Sequence, residues 1–360
     1  MAQPVPERDI PPRPWPKIAV ATLLATSLLC GAWEWRMRAA GLVLNDSGYS
    51  VSAWAEQRRR VDAEPGGHGM IAIVGDSRIL YDTDLDRFQR LTGLRPIQLA
   101  LPGTNALPFL EDLSTDTKFN GLLIVGIAET SYFRKKIGLM EKALDAARWE
   151  SPASRISYRI LHFLRRHLVM LDQDYRLSNL LRRLDHGIRA GGNSPYEEPW
   201  KIGATFDQRQ TVLWSRLEHD AYLREHARHA WNDFAGPPVS DAVIADTIAR
   251  TSAAVARIRR RGGEVVFVRP PSMPRLRVNE EKRISKARGW NTLLSAARVQ
   301  GIHFDDLPAA QGLTLPEWSH LNGRCALVFT DAYARRLAAI LPAYTLRADA
   351  PTALSAADCV

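Results

Sequence analysis

The stretch MIAIVGDSR at residues 70–78 decides the fold class that this chain is expected to adopt. A run of apolar residues comes first, and a Gly-Asp-Ser turn follows it directly. Because the run is continuous rather than alternating, it is typical of a strand in a sheet that is covered on both faces. We therefore predict a buried strand at residues 70–74, which ends in a tight turn before a helix.

Four more apolar runs of this kind lie at residues 96–99, 121–125, 264–268 and 301–304. Helices are predicted between them, at residues 84–92, 105–115, 280–299 and 323–340. One more helix is predicted to begin at a Ser240 cap and to close at Gly262-Gly263. This strand–helix alternation predicts an α/β domain with a doubly wound, mostly parallel, five-stranded sheet.

The region between residues 135 and 239 breaks the alternation, because it contains no strand-like run. It is predicted to be a helical insertion, so that residues 70–134 and 240–345 form the α/β domain. Inside it, apolar residues recur at helical spacing among several arginines: Ile156, Ile160, Leu161, Phe163, Leu164, Leu168 and Leu171, with Arg155, Arg159, Arg165 and Arg166. We predict a helix that packs on the core and exposes a basic face; a basic amphipathic helix on anionic lipid is the alternative.

Residues 1–16 form a proline-rich tail, and residues 17–38 are predicted to be a transmembrane anchor. No charge occurs between Ile18 and Trp33, and tryptophans bracket the segment as interfacial residues do. A cleaved signal peptide is the main alternative, and a buried core helix is the lesser one. Three basic residues before the segment and two after it favour a cytoplasmic amino terminus. The rest of the chain would then be extracytoplasmic (periplasmic in a Gram-negative bacterium), with a linker at residues 39–69 and a loose tail at residues 346–360.

The composition is that of a globular chain of 360 residues, of which 46% are hydrophobic. That fraction excludes disorder over the whole length. Three cysteines are too few for a disulfide framework or a cysteine-rich zinc site. The net charge of +9 suggests an anionic partner, but 40 of the 48 basic residues are arginines spread along the chain, so no nucleic-acid partner is predicted.

Ser77 stands at the predicted strand-to-helix turn, where its hydroxyl and its own amide face the carboxyl edge of the sheet. That placement suits a nucleophile whose attacked carbonyl must be held by N–H donors. A Gly-Asp-Ser sequence that makes only a turn is the alternative.

A second motif, PEWSHLNG at residues 316–323, supplies the base that a serine nucleophile needs. His320 is suited to take the proton, and Glu317, three residues upstream, can orient the imidazole. Neither a phosphate-cradling glycine loop nor a cluster of metal ligands occurs in the sequence, so no cofactor or metal is predicted.

Together these motifs make the chain resemble the SGNH (GDSL-type) hydrolase superfamily, over residues 70–132 and about 240–341. The resemblance implies a flavodoxin-like fold, with Ser77 as nucleophile and His320 as its base, and with Glu317 in place of the usual aspartate. The predicted anchor makes the chain similar to membrane-tethered members that take part in polysaccharide O-acylation outside the cytoplasm.

The resemblance also implies an oxyanion hole. The family's second block corresponds to LPGTN at residues 101–105, which provides the amide of Gly103 beside that of Ser77. The third block normally carries an asparagine, but this chain reads VGIAETS at residues 125–131. Loss of such a donor costs about 100- to 1000-fold in rate. Asn105 is a candidate substitute, and helix capping is its alternative role.

Three other residues each have a functional and an ordinary interpretation. Arg269 either binds an anionic or sugar substrate or, as we expect, makes a salt bridge. Trp318 either stacks on a sugar or packs on the core. Glu129 is either a second carboxylate of the site or, as we expect, a solvated loop residue. Cys325 is expected in the core.

The sequence therefore predicts a serine-dependent O-acyl esterase or O-acyltransferase that acts on acylated, in particular acetylated, extracytoplasmic glycans. A membrane acyltransferase is a further candidate partner. The alternative is a non-catalytic SGNH-like membrane protein that binds a glycan or an acyltransferase.

Overall fold

A central β-sheet organises the structure, a computed structural model that describes residues 11–63, 67, 69–115, 119–134, 138–181, 200–231 and 236–359. The strands are β1 (Ile71–Val74), β2 (Ile97–Gln98), β3 (Leu122–Gly126), β4 (Gly203–Thr205), β5 (Thr211–Leu213), β6 (Glu264–Arg269) and β7 (Gln300–His303). β4 and β5 form a separate antiparallel hairpin, and the other five strands make the sheet. All five predicted strands are present, so the predicted α/β class is confirmed.

The five-stranded sheet is entirely parallel, in the order β2-β1-β3-β6-β7. Ile73 of β1 pairs with Gln98 on one side and with Ile124 on the other. The chain therefore winds outward from β1 in both directions, as in doubly wound sheets. The crevice outside the carboxyl ends of β1 and β3 is where such sheets bind ligands.

Hydrophobic cores cover both faces of the sheet. Ile71 and Ile73 belong to one core, whereas Ala72 and Val74 belong to the other. Alternate side chains of one strand thus enter two apolar layers, and all four are at most 1% exposed. This arrangement is the physical reason for the continuous apolar run at residues 70–74.

The described residues include these α-helices: α1 (Trp15–Ala39), α2 (Val51–Ala63), α3 (Ser77–Tyr81), α4 (Leu85–Thr92), α5 (Leu107–Thr115), α6 (Glu129–Tyr132), α7 (Gly138–Arg148), α8 (Pro152–Arg165), α9 (Arg216–His219), α10 (Ala221–His229), α11 (Asp241–Arg260), α12 (Pro274–Arg283), α13 (Thr292–Ala297) and α14 (Gly323–Ile340). Four of them, α4, α5, α11 and α14, match the predicted helices closely. Side-chain caps explain three of these starts, because Asp84, Ser240 and Asn322 each accept a hydrogen bond from the first turn that follows.

The helix predicted over residues 280–299 is wrong in its bounds. α12 begins earlier, at Pro274, and ends at Arg283. Ile284 then takes extended backbone angles and is 2% exposed, and a π-helical turn over Ala287–Asn291 leads into α13. Burial of the Ile284 side chain in the core stabilises the break that helical periodicity alone did not reveal.

The amino-terminal helix α1 has 25 residues and is long and apolar enough to cross a membrane. Its length is about 37 Å at 1.5 Å per residue, which exceeds the hydrocarbon thickness of a bilayer. None of its most apolar window is buried against the rest of the chain. These properties agree with the membrane segment predicted at residues 17–38.

The inserted region is not purely helical, because it contains the β4–β5 hairpin. Each strand has three residues, which is too short to produce a periodic signal in the sequence. The hairpin packs against Tyr81 of α3: a Cβ added to Gly203 would lie 2.2 Å from the Tyr81 ring. The insertion is therefore part of the domain that carries Ser77.

The amphipathic helix α8 is oriented opposite to the core-packed arrangement that we predicted. Its apolar residues Ile156, Ile160 and Phe163 are 57%, 56% and 60% exposed. Arg165 is buried instead, and its Nη1 donates to the carbonyl of Ser47 at 2.7 Å. The prediction of a core-packed apolar face is wrong, because helical spacing identifies a face but not the direction in which it points.

The predicted linker and the tail that was predicted to be loose are both integrated into the fold. The predicted linker contains α2, whose Trp54 donates from Nε1 to the carbonyl of Leu99 at 2.7 Å. The C-terminal residues dock beside α14, where Arg87 donates to the carbonyl of Thr352 at 2.7 Å. A disulfide also joins Cys325 to Cys359, so Cys325 is buried as expected but is covalently paired.

Candidate active site

The turn after β1 places Ser77 at the carboxyl edge of the sheet. Gly75 and Gly126 have no room for a Cβ. A Cβ added at either position would lie only 2.2–2.3 Å from the side chain of Ile79 in α3. The two glycines therefore let α3 approach β1 and β3 closely. Asp76 caps this helix by accepting a hydrogen bond from the amide of Arg78 at 3.0 Å. Ser77 is the first residue of α3 and is partly exposed.

Ser77 opens into a cavity of about 580 Å³, which is the size of a small-molecule pocket. One wall comes from the carboxyl ends of the strands and the loop before α14, with Gly103, Ala128, Ser131 and His320. The other wall comes from the segment after α1 and from the insertion, with Tyr49, Asp174, Lys201 and Trp231. We call these the sheet wall and the insertion wall.

His320 lies in the sheet wall beside Glu317. The Nδ1 atom of His320 is 3.1 Å from Oε1 of Glu317, although the imidazole nitrogens make no well-aligned hydrogen bond with any described residue. Glu317 is itself fully buried and accepts from the amide of His320 at 2.5 Å and from Nε1 of Trp231 at 2.5 Å. The carboxylate is thus fixed in place, and its position suits the orientation of an imidazole.

The imidazole of His320 is enclosed by aromatic rings. Tyr81 stacks on it with ring centroids 4.4 Å apart, and Trp231 meets it edge-on at 5.5 Å. Ser77 and His320 line the same cavity, but no hydrogen bond joins them in the described structure. Such contacts are often long in unliganded enzymes and tighten when substrate binds.

The two backbone amides that we expect to stabilise an oxyanion belong to residues that line the cavity. One belongs to Ser77, and the other to Gly103, which lines the cavity with φ of +67°. At that left-handed angle glycine is favoured over other residues. In the segment after β3, Ala128 and Ser131 line the cavity, and Ala128 offers no side-chain donor.

The side chain of Asn105 makes hydrogen bonds with backbone groups instead, so the prediction that it donates to the oxyanion is corrected. Its Nδ2 donates to the carbonyls of Tyr132 at 2.9 Å and Arg134 at 2.8 Å, and its Oδ1 accepts from the amide of Leu107. Both amide hydrogens are therefore occupied. The residue caps α5 and holds the loop after α6, as the alternative interpretation had it.

Arg269 makes buried ion pairs and does not line the cavity. It donates to Glu129 at 2.8 Å and to Glu280 at 2.7 Å, and Glu280 also pairs with Arg78. The prediction that Glu129 is solvated is wrong, because it is 5% exposed within this network.

Burial alone would raise the pKa of Glu280, but the guanidinium groups of Arg78 and Arg269 lower it to about 2. Because Arg78 follows Ser77 and its Nε lies 3.3 Å from Ser319 Oγ, the network connects the serine turn to the histidine loop.

Trp318 points away from the cavity. It lies between the guanidinium groups of Arg228 and Arg275, at 5.0 and 4.6 Å from its ring centroid. Its φ of +80° is uncommon for a residue with a side chain and stores strain between Glu317 and His320.

The insertion wall is held by a buried cation that sequence analysis missed. Lys201 Nζ lies 2.5 Å from Asp46 and 2.7 Å from Asp172, and all three side chains are at most 3% exposed. Burial alone would lower the pKa of Lys201, but the carboxylates raise it. These partners are 155 and 29 residues away in sequence, and no local pattern links them.

A second buried carboxyl group supports the histidine loop. Asp82, at the end of α3, accepts from the amide of Leu321 at 2.9 Å. Burial raises the pKa of Asp82 well above its usual value. The Asp82 carboxyl therefore fixes the backbone of this loop from the end of α3.

The described residues contain no group of three or more His, Cys, Asp or Glu side chains that could hold a metal ion. Comparison with protein-family models gives no match to this chain, and comparison with curated proteins gives none.

Proposed function

We propose that this protein is a serine-dependent O-acyl ester hydrolase or acyltransferase. One observation carries the proposal: Ser77, in the turn after β1, and His320, beside a fixed carboxylate, open into one cavity. The SGNH resemblance described above supports the same assignment.

The reaction follows from these positions. Ser77 Oγ attacks the ester carbonyl while His320 takes its proton, and the amides of Ser77 and Gly103 stabilise the oxyanion. Collapse expels the alcohol, which receives the proton from His320, and leaves the acyl group on Ser77. Water or a sugar hydroxyl then attacks, passes its proton to the imidazole and releases the serine.

An acylated glycan is the proposed substrate class. The cavity has room for a small acyl group with part of a sugar, and Tyr49, Tyr81 and Trp231 provide aromatic surface. Transfer rather than hydrolysis depends on whether the acceptor excludes water from the acyl-enzyme.

Labelling with a fluorophosphonate tests the proposal in the full-length chain. We expect wild type and Ser131→Ala to be labelled and Ser77→Ala to remain unlabelled. Ser131 is the matched control, because it lines the same cavity. Labelling that persists in folded Ser77→Ala would exclude Ser77 as the activated nucleophile.

A non-catalytic binding role is the second candidate. It is favoured by the missing hydrogen bond between Ser77 and His320 and by the absence of a third oxyanion donor at Ala128. Failure of the folded wild type to react, together with glycan binding that survives Ser77→Ala, would select this role.

The proposed location is a membrane, with the α/β domain outside the cytoplasm. The Cys325–Cys359 disulfide supports this side, since disulfides persist mainly in oxidising compartments. A fusion of alkaline phosphatase to the carboxyl terminus in a bacterial host should be active. An inactive phosphatase with an active β-galactosidase fusion would reverse the orientation.

A further inference from the structure

Helix α8 presents an apolar stripe to its surroundings. Ile156, Ile160 and Phe163 are more than half exposed and recur at the spacing of one helix face, and Leu164 extends it at 38%. Trp149, Leu177 and Leu181, which lie near α8 in sequence, are also exposed, as are Val43 and Leu44 just after α1. No described segment covers the stripe.

The opposite face of α8 is polar and attached to the protein. Arg165 is buried and donates to the carbonyls of Ser47 and Leu171, and its own carbonyl accepts from the amide of Asn45. Tyr158 and His162 on the same side are partly buried. A helix that faced water would have the reverse arrangement, so these contacts hold its apolar stripe outward.

The carboxyl end of α8 is joined to the last turns of α1. Glu34 of α1 accepts hydrogen bonds from the amides of Val169 at 3.1 Å and Met170 at 2.9 Å. Arg38 donates to the carbonyl of His167 at 3.2 Å. The stripe therefore begins where α1 would leave the membrane.

Arginines border the stripe on one side. Arg155, Arg159 and Arg166 are exposed, and Arg155 and Arg159 directly precede Ile156 and Ile160 of the stripe. The Arg155 and Arg166 side chains lie 3.9 Å from Glu150 and 3.3 Å from Asp207, yet remain 48% and 50% exposed. A continuous apolar face with a basic edge is the composition of helices that lie in the headgroup region of anionic bilayers.

We propose that α8 lies in the interface of the bilayer that α1 spans, with its apolar stripe among the upper acyl chains and its arginines against anionic headgroups. The occupant of the stripe is lipid, because the stripe continues from the membrane helix and carries the complementary charge. The proposal rests on α1 as an anchor and is independent of the esterase chemistry.

Fluorescence in lipid nanodiscs that hold one copy of the full-length chain tests this placement. In a Cys30→Ser background, which removes the free exposed thiol, Ile160→Cys is labelled with the environment-sensitive dye NBD. Val278→Cys on α12 is the matched control, because Val278 is an apolar helix residue that is 54% exposed. Both variants change only surface positions, and circular dichroism checks their folding.

We expect NBD at position 160 to be blue-shifted and quenched by nitroxide lipids labelled near the headgroup, more strongly with phosphatidylglycerol than with phosphatidylcholine alone. NBD at position 278 should remain water-like. Water-like emission at position 160 in chains that have entered the discs would overturn the proposal while leaving the anchor intact. A blue shift that appears only in concentrated detergent solution would identify a second copy as the occupant and would also overturn it. Chains that fail to enter the discs would refute both the anchor and the placement of α8.

Discussion

The two walls of the cavity are built by different means. The sheet wall carries the reactive groups on short turns at the ends of buried strands, where Gly75, Gly126 and Asp76 fix the backbone. The insertion wall is assembled by side chains from distant parts of the chain around Lys201. It contacts the reactive groups through Trp231, which donates to Glu317. Under the proposed function, the sheet wall performs the chemistry, and the insertion wall closes the cavity and selects what enters it.

The largest effect on activity is expected from a substitution in the sheet wall. His320→Gln should lower kcat/KM for a nitrophenyl ester by at least about 10⁴-fold, because the serine loses its base. His219→Gln is the control, since His219 is exposed at the end of α9 and lies outside the cavity. Equal activity in both variants would remove His320 from the proposed mechanism.

Breaking the insertion wall should affect stability. Lys201→Met leaves Asp46 and Asp172 as uncompensated buried charges, so the free energy of unfolding should fall by about 3–5 kcal/mol. Lys286→Met is the control, because Lys286 is 34% exposed and pairs with a single aspartate, Asp305, at 3.3 Å. That variant should lose less than about 1 kcal/mol. Denaturant unfolding measures both, and similar losses would contradict the special role of Lys201.

Low pH tests the two walls separately, because acid acts on the buried ion-pair network of Glu280 beneath the sheet wall. The pKa of Glu280 is lowered to about 2 in the folded protein, so its stabilisation is present above its unfolded pKa and is lost as the pH falls from about 4.5 toward 2. The shift corresponds to about 3 kcal/mol. Urea unfolding against pH should show this loss in wild type and in Glu281→Gln, whose changed residue is exposed, but not in Glu280→Gln. An unchanged pH dependence in Glu280→Gln would refute this assignment.

The smallest effect is expected where the walls meet. Trp231→Phe removes the N–H that Glu317 accepts and should lower kcat about tenfold, since one buried oxygen loses its donor. Trp149→Phe, at a position that is 72% exposed, should have no effect. If Trp231→Phe raised only KM, the insertion wall would act in binding alone.

The same contrast explains what the sequence revealed. β1 and β3 were predictable because a strand buried on both faces is apolar throughout. Ser77 and His320 could be selected as candidate site residues because each lies in a short local motif, and both line the cavity. Long-range packing forms the Lys201 cluster, the β4–β5 hairpin and the contact of Trp231 with Glu317. No local sequence pattern therefore predicted them. For α8 the spacing of apolar residues was visible, but its direction was set by contacts of Arg165 that the spacing does not contain.

The short connection between α1 and the cavity determines where the protein can act. Only nine residues separate Ala39 from Tyr49 in the cavity wall, and Asp46 within them is held by Lys201. Even fully extended, such a segment reaches about 35 Å. With α1 in a bilayer, the cavity therefore stays within a thin layer next to the membrane. Under the proposed function, an acylated glycan would react only while it passes through that layer, so the timing of its export would set which sugars are reached.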